Sequence, residues 1–236
     1  VMFPMLSQEA NKEGIEGMKK VMGFGINVIL LITIPAAVGL IVLSEPIVRV
    51  VFERGAFGAM ATSMTSGALA FYSLGLVSMA LRTLLDRVFY SLQDTKTPLK
   101  NGTAAVGLNI VLNLILVKFM APRGLALATS IATIISTLLL YNKLKKKIGS
   151  LGTKRYVECG LKSLAASLVM GLVACLVYNS IYRAIGGSFI LDLVSLLVAI
   201  GCAVLAYLLL IYLFKIKEVI MIAERIKQKR SVKYSD

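Results

Sequence analysis

Six stretches of this chain are apolar for long enough to cross a lipid bilayer, and that limits its fold more than any other feature. Hydrocarbon about 30 Å thick takes about 20 residues of α-helix. Runs of that order lie at 21–43, 62–85, 99–119, 124–142, 160–182 and 189–214. A backbone in lipid must satisfy its own hydrogen bonds. Open sheet edges fail there, and none of the runs alternates as a barrel strand does, so each is expected as a helix. The fold class that follows is an all-α integral membrane protein with six transmembrane helices. Composition agrees: 58% of the 236 residues are hydrophobic and 16% charged, with a mean hydropathy of +0.83. That is more apolar side chain than a soluble core of this size can hide.

The net charge of +14 raises the question of nucleic acid. The cations, however, flank the apolar runs instead of forming a phosphate-binding face, so topology accounts for them and nucleic acid is not an expected partner. Lys12, Lys19 and Lys20 precede the first run, the connectors 84–102 and 141–159 are basic, and the tail 215–236 carries Arg225, Lys227, Lys229, Arg230 and Lys233. The opposite ends hold only Arg49, Arg54, Lys118, Arg123 and Arg183. This alternation is the positive-inside pattern, which puts the two connectors and the C-terminus in the cytoplasm. Cys159, Cys175 and Cys202 are far apart, lie in or beside apolar runs, and have no histidine to share a metal with, so they read as small membrane-buried hydrophobes. With no histidine, no phosphate-cradling G-x-x-x-x-G-K-[ST] loop and no carboxylate pair away from the water-exposed ends, neither catalysis nor an organic cofactor is expected.

Between the second and third runs lies a polar insert, "LLDRVFYSLQDTKTPLKNG" (84–102). It reads as a tight cytoplasmic turn: Phe89 and Tyr90 at headgroup level, Gln93 and Asp94 ending one helix, Thr97 capping the next with Pro98 in its first turn. On the other side, "LSEPIVRVVFERGAFGAMATS" (43–63) reads either as a short amphipathic helix at the outer interface, stopped by Gly55, or as an extension of the first span. Pro35 should kink that span. Gly124, Ala128, Ala132 and Ser136 form a small-residue ridge on the fourth span along which a neighbour can approach closely, with Thr129 and Ser130 as polar exceptions.

Four blocks of sequence, "LSEPIVRVVFERGAF" (43–57), "ALAFYSLGL" (68–76), "FYSLQDTKTP" (89–98) and "GLALATSIA" (124–132), resemble the MurJ (MviN) lipid II flippases in colinear order. That family belongs to the multidrug, oligosaccharidyl-lipid and polysaccharide exporter superfamily. The resemblance implies two six-helix lobes around a central cavity followed by two accessory helices. Laid on that plan, residues 1–20 are the end of a preceding helix and a cytoplasmic connector, 21–146 are four transmembrane helices of the second lobe, and 147–236 are two accessory helices with a basic cytoplasmic tail. Val1 and the short apolar "VMFPML" fit a chain that starts inside a larger protein, with the N-terminal lobe as its missing partner. The implied function is translocation of lipid II, the undecaprenyl-diphosphate-linked peptidoglycan precursor, across the bacterial cytoplasmic membrane by alternating access, among membrane lipids. A related exporter of drugs or polysaccharide intermediates and a non-transporting scaffold are the other readings.

Two groups of residues are candidates for that work. Arg82, Asp86 and Arg87 stand near the inner end of the second span. The i,i+4 spacing of Arg82 and Asp86 lets them point together into a polar cavity that would suit a diphosphate head, or lets Arg82 snorkel to headgroups with Asp86 as its partner. The resemblance places most diphosphate-gripping arginines in the missing lobe, so no ligand is carried over from it. Asn109 and Asn113 share one face of the third span, and the "APRG" turn brings back Thr129 and the Leu125 carbonyl beside them. Hard oxygens of this kind suit an alkali cation, and equally serve as polar links between helices. The resemblance implies a sodium ion here, with a carboxylate at or near position 113 where this chain has an amide.

Overall fold

The computed structural model describes residues 14–120, 122–185 and 188–214. The end of a preceding helix expected at the N-terminus and the basic tail after 214 lie outside the described residues. Among those described there are seven helices and no strand: α1 (Gly14–Val42), α2 (Ser44–Phe52), α3 (Ala59–Ser91), α4 (Lys96–Met120), α5 (Pro122–Ile148), α6 (Thr153–Ile185) and α7 (Phe189–Leu213). All but α2 are long and apolar enough to cross a membrane. They outrun the apolar stretches because polar residues at the ends of a run continue the helix beyond the hydrocarbon. The segment after α1 is a separate short helix, α2, and Gly55 beyond it adopts the left-handed φ of +57° that favours glycine.

The polar insert is mostly helix, with only residues 92–95 turning between α3 and α4. Gln93 takes a left-handed φ of +57° there. Asp94, not Thr97, caps the next helix: its carboxylate accepts from the Thr97 N–H at 3.0 Å and from the Thr97 hydroxyl at 2.9 Å. Lys147, at the end of α5, also pairs with it. These hydrogen bonds, the lysine's foremost, hold the Asp94 carboxyl down at about 2. Phe89 does not face the headgroups as expected. It is 1% exposed and packs in the core, because positions 84, 85, 88 and 89 form the buried face of α3 while Tyr90 turns out.

Two apolar cores share α1. Met18, Met22, Ile26 and Leu30, one stripe at four-residue spacing, meet Leu84, Leu85, Val88 and Phe89 of α3 and Leu140 and Leu144 of α5. The other core joins Leu31, Leu43 and Val50 to Ala166, Met170 and Ala174 of α6 and to Leu196, Ala199, Ala203 and Ile211 of α7. The small-residue ridge packs as expected. Gly124 lies against α4, where a Cβ would come within 2.4 Å of the Leu116 carbonyl oxygen. Further along, Ser136 receives the amide of Asn101 on its carbonyl at 2.9 Å and on its hydroxyl at 2.8 Å. Ser130 and Thr137 instead donate to carbonyls of α3, at Phe71 (2.6 Å) and Ser78 (3.0 Å). So α5 is clasped between α3 and α4, while α6 packs on α1 and α7 on α6.

Candidate functional site

Although α3 and α4 are consecutive, they scarcely touch beyond their connecting turn, because each leans on α5. The gap is a cleft of about 850 Å³ at the end of the molecule where that turn lies. Arg82, Asp86 and Tyr90 line one wall, successive positions at four-residue spacing and therefore one helix face. Lys96, Leu99, Gly102 and Val106 of α4 are among the residues of the other. Arg82 Nε stands 3.8 Å from Asp86 Oδ2, and both side chains are 26% exposed. Arg82 also reaches across: a Cβ on Gly102 would lie 3.1 Å from its guanidinium. Asp86 Oδ1 is buried without a hydrogen-bond partner in the structure. Two cations, Arg82 and Lys96, thus face one carboxylate, which leaves the cleft net positive. Arg87, expected beside them, is exposed and is not among the residues lining the cleft. Sequence does not single out Lys96 and Gly102, and it reads Tyr90 only as an aromatic at headgroup level. Lys96 lies inside the "QDTKTP" block, but its place opposite Arg82 depends on how α4 diverges.

The four residues of the expected cation site do come together. Asn113 donates its amide to Asn109 Oδ1 at 3.0 Å, Asn109 donates to Thr129 Oγ1 at 3.2 Å, and Thr129 donates to the Leu125 carbonyl at 3.0 Å. This chain links α4 to α5. It leaves one atom over: Asn113 Oδ1 is buried and has no partner in the structure. Of the four oxygens in this chain of contacts, Asn113 Oδ1 alone accepts no hydrogen bond, and neutral amide, hydroxyl and carbonyl oxygens are the ligand type a hard monovalent cation takes, with no carboxylate to add charge.

A third feature is apolar. A groove of about 660 Å³ runs between α1, α6 and α7, walled by Leu31, Ile32, Pro35, Gly39, Met170, Ile200 and Val204 among others, with Tyr207 the one polar side chain in its lining.

Six long apolar helices, with a cationic cleft at one end and an oily groove along the side, define a multi-pass membrane protein. Comparison with known proteins narrows this. Residues 1–195 match the family model described as Lipid II flippase MurJ. A probable lipid II flippase MurJ of Rickettsia prowazekii (strain Madrid E) is 31% identical over 220 residues, 89% of this chain and 42% of the relative. One from Rhizobium tropici is 32% identical over 240 residues, 100% of this chain and 45% of the relative. A solved structure titled "Lipid II flippase MurJ, inward closed conformation" superposes with a TM-score of 0.73 at 31% identity, over 91% of this chain and 42% of that one. The chain therefore belongs to the lipid II flippase MurJ family, and it spans less than half the length of these relatives.

Proposed function

We propose that this chain is the second-lobe and accessory part of a flippase that moves lipid II, an undecaprenyl-diphosphate-linked precursor, across the bacterial cytoplasmic membrane by alternating access. In this reading no bond of the substrate is made or broken, and the C-terminus stays in the cytoplasm. The observation that carries it is the net-positive cleft, because a diphosphate leaving water needs cations in place of its hydration. Arg82 supplies a planar fork that can hold two phosphate oxygens, and Lys96 a second charge. Asp86 keeps Arg82 paired while the cleft is empty of substrate and gives it up when an anion arrives. The groove beside α7 offers the polyprenyl tail an apolar bed. In the full-length protein, Arg82→Ala should abolish complementation of a flippase-depleted strain at normal protein level. Arg82→Lys should preserve part of it, since lysine keeps the charge and loses the fork. Normal growth with the alanine variant would leave Arg82 as a snorkelling residue and remove the cleft from the pathway.

The orphaned Asn113 oxygen favours a second part of the proposal, a sodium ion held by Asn113, Asn109, Thr129 and the Leu125 carbonyl. When bound, the ion supplies a fixed positive charge between α4 and α5. The residues' own contribution is to tie the two helices through amide and hydroxyl hydrogen bonds. Sodium should raise the melting temperature of the full-length protein, and the rise should vanish in an Asn109→Ala, Thr129→Val double variant. An equal response in both would take these residues out of the site.

A further inference from the structure

Pro35 sits in the interior of α1 and has no backbone N–H, so the carbonyl four residues earlier, that of Leu31, loses its helical donor. In hydrocarbon a bare carbonyl is unfavourable, and spans that keep an interior proline draw on a neighbour to satisfy it. Here the donor comes from α7. Tyr207 Oη donates to the Leu31 carbonyl at 2.6 Å. Ser163 Oγ of α6 lies 2.9 Å from the same phenol oxygen. With the phenol proton on Leu31, the serine is the donor in that pair. Ser167 in turn donates to the Ser163 carbonyl at 2.7 Å. Tyr207, Ser163 and Ser167 are all buried.

Packing alone does not call for this hydroxyl. The buried face of α7 runs Leu196, Ala199, Ala203, Tyr207, Ile211, and a phenylalanine at 207 would fill the same space. What the hydroxyl adds is the one hydrogen bond that the proline took away. The point of contact also has leverage. On one side of Pro35, α1 carries Met18, Met22, Ile26 and Leu30 against Leu84 and Leu85 of α3, the helix that holds Arg82. On the other side it leads to α2.

We propose that Tyr207 is a positioning residue: its hydroxyl takes the place of the donor that Pro35 lacks, and through that bond the α6–α7 pair sets the bend of α1. The consequence for transport rests on the flippase reading above, because a change of bend at Pro35 carries the inner half of α1 and the cleft wall packed on it.

Spin labels at positions 24 and 42, both exposed, flank Pro35 in the full-length protein and stand about 27 Å apart along a straight helix. Tyr207→Phe should redistribute the label distances by roughly threefold between conformers, the size an ordinary interhelical hydrogen bond in a membrane supports. Pro35→Ala returns to Leu31 its own backbone donor, so adding Tyr207→Phe to that variant should change nothing. Ser163→Ala leaves the Tyr207–Leu31 bond in place and should keep the wild-type distances. Unchanged distances in Tyr207→Phe, the same change with and without Pro35, or an equal change in Ser163→Ala would overturn the proposal. Flipping of a fluorescent diphosphate-polyprenyl probe in vesicles that carry the full-length protein should slow in Tyr207→Phe relative to wild type, and wild-type speed in that variant would overturn the link to transport. A wild-type protein that does not flip the probe would sink the flippase reading alone, leaving the distances to judge Tyr207.

Discussion

Asp94 fastens three helices with one carboxylate. It follows the end of α3, caps α4 through Thr97, and pairs with Lys147 at the end of α5. Because those partners favour the ionised form, its folded pKa of about 2 lies below the ordinary 3.8. A depressed carboxylate contributes stability that is fully present above the unfolded value and is lost as pH falls through the folded one. Asp94→Asn should therefore melt below wild type at pH 7, and the gap should close as the pH is lowered from about 4 to about 2. A gap that stays constant across that range would mean that the charge of Asp94 does no fastening. The sequence showed that a helix ends near Asp94. It did not show Lys147 as the partner, because 53 residues and two spans separate them and nothing local encodes which loop meets which. Arg82 and Asp86 were legible for the opposite reason: their pairing is set by helical pitch alone.

At the scale of elements, the glycines show where helices touch. A Cβ on Gly124 would fall 2.4 Å from the Leu116 carbonyl oxygen, and one on Gly75 would fall 3.0 Å from the Ser130 backbone. In both cases the obstacle includes backbone of a neighbouring helix or turn, which cannot swing aside as a side chain tip can. Gly107 and Gly201 are also helical, yet nothing lies within 4 Å of the space their Cβ atoms would take. In the 1–236 chain, Gly124→Ala and Gly75→Ala should each destabilise by about 1–3 kcal/mol, as overpacking does. Gly107→Ala and Gly201→Ala should be neutral, or stabilise by up to about 1 kcal/mol through helix propensity. Thermal unfolding of the four variants decides it; equal effects would mean that the close approaches are not what these glycines are for. The spans themselves could be read from sequence because hydrocarbon imposes length and apolarity on each. The ridge on α5 could be read too, since its four-residue spacing is local. That α5 also meets α3 through Ser130 and Thr137 could not, because small polar residues look alike whichever neighbour they bond.

For the whole molecule, orientation is the property with the most at stake, since the cleft can serve the proposed flipping only if it opens to the side where a lipid-linked diphosphate is made. The contacts sort the connectors into two ends. Asp94 with Lys147 brings the α3–α4 turn beside the end of α5. Arg123 donates to the Ser63 carbonyl at 2.9 Å, which joins the start of α5 to the start of α3. Arg54 lies 4.4 Å over the Phe189 ring and Arg49 5.4 Å over that of Tyr182, which adds the α2 segment and the α6–α7 connection to the same end as Arg123. Lys143, Lys145, Lys146 and Lys147 are all on the Asp94 side, so the basic end and the cleft coincide, and the positive-inside rule predicts that this end is cytoplasmic. Starting beside Arg54, α7 runs back toward the basic end, so that Phe214 lies on that side. Two reporter cysteines test this in cells, in a background with Cys159, Cys175 and Cys202 changed to alanine. Met60→Cys, at a position 80% exposed, should react with a membrane-impermeant maleimide added outside. Lys146→Cys should react only after the membrane is opened. The reverse pattern would turn the molecule over and put the cationic cleft on the wrong side for a cytoplasmic diphosphate. Labelling of both from one side would contradict the odd number of crossings between positions 60 and 146 made by α3, α4 and α5.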